Sequence, residues 1–199
     1  MTQATLSTRR LTLLPLAPRH LEHEVALDTD PQVMRYLFSG RPRLRDDIVA
    51  AHHRRLRVAK EHPGLGFWVG LLDGTFTGWW LLEPAFDDGR VRPGEAEIGY
   101  RLLPGFWRRG LASEGAAELL RHAFTDLFPG LGTQRVFGQT MAVNQGSRAT
   151  MASIGLRHVR SFHEEWDEPI PGAEHGEVEY AITREEWLAG PAGQGRGPT

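Results

Sequence analysis

The chain has 199 residues, room for one domain or two very small ones. Its 40% apolar and 24% charged content is that of a chain that packs a core, and its lack of cysteine excludes a disulfide scaffold, thiol catalysis and a Cys-ligated zinc site. A formal net charge of −2 supplies no bulk field for nucleic acid, no apolar run nears the roughly 20 residues that span a bilayer, and Met1 to Arg10 lacks the apolar core of a secretory signal, so the expectation is a cytoplasmic protein that binds neither nucleic acid nor membrane.

Arg10 to Leu16 predicts a first strand closed by Pro15. After Pro18 a helical stretch carries Leu21, Val25 and Leu27, and Asp30-Pro31 opens a short second one through Val33, Met34, Tyr36 and Leu37. A polar helix is expected from Leu44 to Glu61, with Ile48, Ala51, Leu56 and Val58 as its apolar side. Its Arg54, Arg55 and Arg57 read as a solvated basic face. His62-Pro63-Gly64 stops it, because proline breaks the hydrogen-bond ladder and glycine turns the chain.

Phe67 to Leu72, Asp73-Gly74 and Phe76 to Leu82 form a hairpin signal, since Asp-Gly accepts the positive φ of a tight turn. A looser loop with Pro84 and Pro93 leads to a strand over Glu95 to Leu102. Pro104-Gly105 ends it. Ser113 to Phe128 is the best helix, with Ala116, Leu119, Leu120, Ala123, Phe124, Leu127 and Phe128 on one stripe of period 3.6. Arg135 to Thr140 reads as a buried strand. Asn144 starts a short helix capped by Gly155, and two strands follow near Arg157–Trp166 and Val178–Ile182. The order describes a single mixed α/β domain over 10–189, largely antiparallel, with one parallel strand–helix–strand in the middle. Residues 1–9 are an N-terminal extension, and 190–199 (GPAGQGRGPT) a mobile Gly/Pro-rich tail.

The segment Leu102 to Glu114 carries the chemical signal. A strand ends, Arg108 and Arg109 follow, and a strong helix opens with Gly110, Leu111, Ala112 and Ser113. Free amides and the positive end of the helix dipole make such a point an anion site, and several consecutive amides suit a diphosphate. The same residues also read as a plain turn with two solvated arginines, and a single glycine beside basic residues does not choose between the two.

Trp107-Arg108-Arg109-Gly110-Leu111-Ala112 resembles the coenzyme-A loop of the GCN5-related N-acetyltransferases, Gln/Arg-x-x-Gly-x-Gly/Ala, with Trp107 departing at the first position. Ile98-Gly99-Tyr100 before the loop, Asn144-Gln145-Gly146-Ser147 after the next strand, Gly155-Leu156 and the opening Asp30 to Tyr36 resemble the branch that acetylates ribosomal-protein N-termini. The likeness covers Arg10 to Trp187. It implies the acyl-CoA N-acyltransferase fold, a mixed, mostly antiparallel sheet with flanking helices, in which the strand over Glu95 to Leu102 splays from that over Arg135 to Thr140. Acetyl-CoA as co-substrate would lie in the splay. Its pantetheine would run along Tyr100 to Leu102, its diphosphate on Arg108 to Ser113, Asn144 would bond the pantetheine arm, and Ser147 would lie near the sulfur.

An amine must lose a proton before it attacks a thioester, and a carboxylate can take it. Glu95 and Glu97 share one face of their strand by the period of two, and each reads as a base or as a solvated or Arg-paired carboxylate. A bulge at the splay, expected by resemblance, would change which of them faces the site. Glu164 and Glu165 stand in reserve. Ser147 reads either as the proton donor to the leaving thiolate or as an ordinary first-turn hydroxyl. Trp68, Trp79 and Trp80 can wall an amine pocket, and at least two read as core. Ser161 to Tyr180 holds seven acidic residues and no Lys or Arg, either a lure for a cationic amine or a solvated loop.

The nine histidines form no ligand set, so no metal is expected and most read as surface residues. No Gly-x-Ser-x-Gly elbow supports a hydrolase. The leading expectation is acetyl transfer from acetyl-CoA to a primary amine, with a protein or peptide N-terminus first by resemblance. A small amine or antibiotic is the second acceptor. Succinyl-CoA is a further option, with Arg101 available to a carboxylate. The rival class is a CoA-binding sensor or partner-binding module with little turnover. A homodimer is left open.

Overall fold

The computed structural model describes residues 3–125, 132–163, 169–191 and 193. Its framework is one eight-stranded sheet: β1 (Leu6–Ser7), β2 (Leu11–Pro15), β3 (Gly66–Leu72), β4 (Thr75–Asp87), β5 (Arg90–Leu102), β6 (Arg135–Met141), β7 (Arg157–Phe162) and β8 (Glu177–Thr183). The spatial order is β1-β2-β3-β4-β5-β6-β8-β7, and every pair is antiparallel except β5 with β6. The helices are α1 (Leu21–Asp28), α2 (Pro31–Met34), α3 (Arg45–Glu61), α4 (Leu111–Phe124), α5 (Gln145–Ser153) and α6 (Arg184–Ala189). A parallel pair needs a long crossover, and α4 supplies it.

The alternation of β4 sets the two layers. Trp80 and Leu82 face α4, where Leu111, Ala116, Leu119, Leu120, Ala123 and Phe124 form the opposing stripe. Trp79 and Leu81 face the other way with Phe67, Val69, Leu16, Leu27 and Val33. Full burial of each such side chain contributes about 1.5–3 kcal/mol. Gly115 is required where α4 crosses β4, because a Cβ there would lie 2.5 Å from the Trp80 ring. All three hairpin tryptophans are core, with 0–5% exposure.

Several expectations needed correction. The loop expected around Pro84 and Pro93 is a second long hairpin, β4–β5, turned at Asp88-Gly89 with φ of 45° and 74°. Its register shifts from Pro84↔Ala96 to Phe86↔Val91, so the extra residues, Arg92 to Glu95, bulge from β5. Helix α4 begins at Leu111, two residues earlier than expected, and Leu127 and Phe128 lie outside the described residues. The N-terminal extension contributes the short strand β1, and α6, opened by a Thr183–Glu186 capping box, buries Trp187. Arg55 is buried, as are His20, His52 and His122. Beyond Gly190, Pro191 and Gly193 the tail lies outside the described residues.

Candidate active site

Strands β5 and β6 pair over three positions only, Glu95↔Arg135, Ala96↔Val136 and Glu97↔Phe137. Beyond them β5 continues against β4 to Leu102↔Gly78, while β6 continues against β8 to Met141↔Glu177. The strands therefore part after Glu97 and Phe137, and the sheet opens in its interior.

The loop from β5 to α4 closes one side of this opening. Arg108 (φ 57°) and Gly110 (φ 73°) both adopt left-handed backbone. Glu114 N–H donates to the Gly110 carbonyl at 3.0 Å as the first closed turn. The backbone N–H groups of Arg108 through Ser113 precede that bond and have no acceptor among the described residues. Six amides in a row, with Arg108 and Arg109 beside them, form the donor set expected for an anion. Trp107 ties the loop down: its indole Nε1 donates to the Leu102 carbonyl at 2.7 Å. That bond gives a physical role to the residue that departs from the loop pattern.

Arg10, just before β2, is a third cation at the loop, and the sequence reading missed it. Its Nη1 donates to the Arg109 carbonyl at 3.0 Å, and its Nη2 lies 3.5 Å from where a Gly110 Cβ would be. Glu114 accepts from Thr8 and Arg10. Burial alone raises its pKa, but these bonds hold the carboxyl below its ordinary value.

On the α5 side, Asn144 works as the helix N-cap. Its Oδ1 accepts from Ser147 N–H at 3.2 Å and its Nδ2 donates to Thr140 Oγ1 at 3.0 Å. Tyr100 comes from β5 to the same point: its hydroxyl donates to the Ser147 carbonyl at 2.9 Å and lies 3.2 Å from Ser147 Oγ. Burial pushes the Tyr100 phenol up to about 12, against the lowering effect of its hydroxyl partners. A tyrosine therefore meets Ser147 from β5. Only tertiary contact reveals this.

The opposite face holds the carboxylates. Glu95 accepts from Arg135 at 2.8 Å and pairs with Arg92 at 2.7 Å, so its charge is already engaged. Glu97 is half-buried, and Glu83 of β4 lies directly across from it in register. Burial raises the Glu83 carboxyl, partly offset by Arg55. Glu83, Arg54, Arg55, Phe38, Trp79 and Arg101 line a cavity of about 250 Å³ beneath α3. Arg101 bonds Asp28, which Arg43 also contacts at 3.2 Å, and Arg55 and His52 bond Glu24. The face read as solvated therefore contributes a buried ion-pair cluster, in which Arg55 and Arg101 stack on Trp79 at 5.1 and 4.8 Å.

Glu177 and Glu179 of the acidic segment are buried. Arg135, Arg160 and Gln139 all donate to Glu179. Those bonds outweigh burial and hold its carboxyl below the ordinary range. Glu164, Glu165, Asp167 and Glu168 lie outside the described residues. Among the described residues no group of three His, Asp or Glu is placed to hold a metal, and no helix is long and apolar enough to cross a membrane.

Comparison with known proteins gives a concordant result. The family model for the acetyltransferase (GNAT) domain matches residues 10–157. An Aspergillus fumigatus protein named FsC-acetyl coenzyme A-N(2)-transacetylase is 45% identical over 189 residues, covering 94% of this chain and 79% of the relative. Mycobacterium smegmatis RimJ in complex with CoA-disulfide has a TM-score of 0.75 at 21% identity, with 96% and 92% of the two chains covered. RimL, a ribosomal L7/L12 alpha-N-protein acetyltransferase in complex with coenzyme A, has a TM-score of 0.73 at 15% identity, covering 90% and 98%.

Proposed function

The chain belongs to the acetyltransferase (GNAT) domain family, and on that premise we propose that it moves an acetyl group from acetyl-CoA to a primary amine, the donor held in the β5–β6 splay. One observation carries this reading: the six unbonded amides from Arg108 to Ser113 sit between Arg10, Arg108 and Arg109, where a diphosphate finds donors and positive charge together. The splay beside them leaves the backbone of Tyr100 to Leu102 to run along a pantetheine arm.

The reaction needs few groups. The bound ammonium loses one proton, and its lone pair forms a C–N bond to the thioester carbonyl carbon. The C–S bond breaks, sulfur leaves with the electron pair, and nitrogen sheds its second proton. The products are an acetamide and a free thiol. Backbone N–H groups at the splay can stabilise charge on the carbonyl oxygen. Glu97, on the last rung before β5 and β6 part, serves as the proton acceptor. Ser147 and Tyr100 lie together on the side assigned to the sulfur, where a proton returns to the thiolate.

The 45% identity to a transacetylase named for an N(2) nitrogen supports an acceptor of that kind ahead of a protein N-terminus. The RimL likeness, at 15% identity, carries the second reading. Arg101 is committed to Asp28, which argues against a succinyl donor. Calorimetric titration with CoA, followed by thiol release from acetyl-CoA across amino-acid amides, peptide N-termini, polyamines and aminoglycosides, tests the proposal. Saturable CoA binding with amine-dependent release is the expected result. CoA binding with no release for any amine would leave a binding module in place of a transferase.

A further inference from the structure

Two successive carbonyls at the mouth of α4 are held by one residue, Glu114. The Gly110 carbonyl accepts the Glu114 backbone N–H at 3.0 Å. The Arg109 carbonyl accepts from Arg10 Nη1 at 3.0 Å, and Arg10 Nε is bound in turn to the Glu114 carboxylate at 2.6 Å. A trans peptide points its C=O and the N–H that follows it in opposite directions, and no peptide bond among the described residues is cis. With both carbonyls drawn into this clamp, the N–H groups of Gly110 and Leu111 are turned away from it. Neither has an acceptor among the described residues.

The chain around Arg10 is shaped to keep the guanidinium in place. Thr8 and Leu11 close a tight turn, Thr8 N–H donating to the Leu11 carbonyl at 2.9 Å. Thr8 Oγ1 donates to Glu114 Oε1 at 2.6 Å and accepts from Leu11 N–H at 2.8 Å. Arg10 adds its own backbone N–H to Oε1, so it is fixed at its backbone nitrogen, at Nε and at Nη1. Arg108 and Arg109 differ from it. Both are exposed, and Arg109 rests on the Phe106 ring at 5.5 Å.

Gly110 is where this arrangement can fail. Turning the Arg109–Gly110 peptide by half a revolution reverses the sign of φ at Gly110, and glycine accepts either sign. The observed φ of 73° is one of two settings open to the chain, and the Arg10 bond selects it.

We infer that Arg10 is a positioning residue for the coenzyme: by holding the Arg109 carbonyl it aims the Gly110 N–H, beside that of Leu111, at the diphosphate. Successive N–H groups turned to one side make a concave donor set for an anion. A lysine at position 10 keeps the charge but offers a single nitrogen, where the guanidinium spends separate nitrogens on the carboxylate and on the carbonyl. The inference rests on the acetyl-CoA reading above and assigns Arg10 a part in orientation beyond its charge.

Arg10→Lys separates orientation from charge, with CoA affinity read by calorimetry and the Gly110 amide by NMR. The wild type is expected to give one Gly110 amide signal that moves downfield as CoA binds. In free Arg10→Lys that signal should broaden or double, and the CoA Kd should rise roughly fivefold or more. The loss should appear in KM for acetyl-CoA and not in kcat. Thr8→Val removes the hydroxyl from Glu114 and leaves Arg10 in the chain. It should disturb the same signal with a smaller rise in Kd, and it carries the test if Arg10→Lys fails to fold. A Kd for Arg10→Lys within twofold of the wild type, or weaker binding in either variant with the Gly110 signal unaltered, overturns the aiming role and leaves the transferase intact. A wild type that does not bind CoA overturns both.

Discussion

Arg10 grips Glu114 twice: its Nε donates to Oε2 at 2.6 Å and its backbone N–H to Oε1 at 2.8 Å. The pairing joins the first long strand to the first turn of α4, and Arg10 Nη1 reaches on to the Arg109 carbonyl. A depressed carboxylate contributes stability that is complete above its unfolded value, near 4.5, and is lost as pH falls through the lower folded value. Glu114→Gln is therefore expected to reduce stability at neutral pH and to flatten the acid limb below about pH 4.5, as measured by denaturant unfolding across pH. Arg10→Ala should in addition weaken CoA binding several-fold.

Gly110→Asp places a negative side chain among the unbonded amides. Aspartate tolerates left-handed backbone better than most residues, so the change reports mainly on charge. CoA affinity should fall at least tenfold by calorimetry while the melting temperature changes little. Unaltered affinity would remove the anion assignment.

Glu97→Gln is expected to slow acetyl transfer about tenfold or more at neutral pH and to spare CoA binding. Glu95→Gln breaks pairs with Arg92 and Arg135 and should register in stability more than in turnover. Steady-state kinetics and thermal unfolding of the two variants separate these outcomes.

Ser147→Ala should lower kcat by roughly tenfold if a proton returns to sulfur through this hydroxyl. Tyr100, with its phenol raised to about 12, stays protonated throughout the working range, so no basic limb of the pH–rate profile should be traceable to it. Tyr100→Phe should cost about 1 kcal/mol for the lost bond to Ser147, read by denaturant unfolding.

Arg101→Met leaves the fully buried Asp28 without its closest cation. Removing one partner of such a pair typically costs about 3–5 kcal/mol. Arg101→Met with Asp28→Asn should recover part of that loss in a double-mutant cycle.

Much of the fold was readable because it rests on local signals. The 3.6-residue stripe of α4, the Asp73-Gly74 turn and the Asn144 cap each act within one element, and the parallel β5–β6 pair followed from element order. Signals that depend on tertiary neighbours were not readable. Arg55 sits on a polar helix and looks solvated until Glu24 and Trp79 are brought to it. Glu83 follows two prolonged apolar positions and gains meaning only from its register with Glu97. The prolines at 84 and 93 disguised the second hairpin, because Pro93 sits in the bulge on β5 and Pro84 at the register shift opposite it.

The three-rung limit on the β5–β6 ladder creates a sheet margin enclosed within the molecule instead of at its rim. Exposed margins invite another chain to add a strand. This one is flanked by β4 and β8 and overlain by α4 and α5, so a guest is screened by its cross-section. A slender thread suits a margin so enclosed better than a neighbouring polypeptide, whose side chains stand out on both faces.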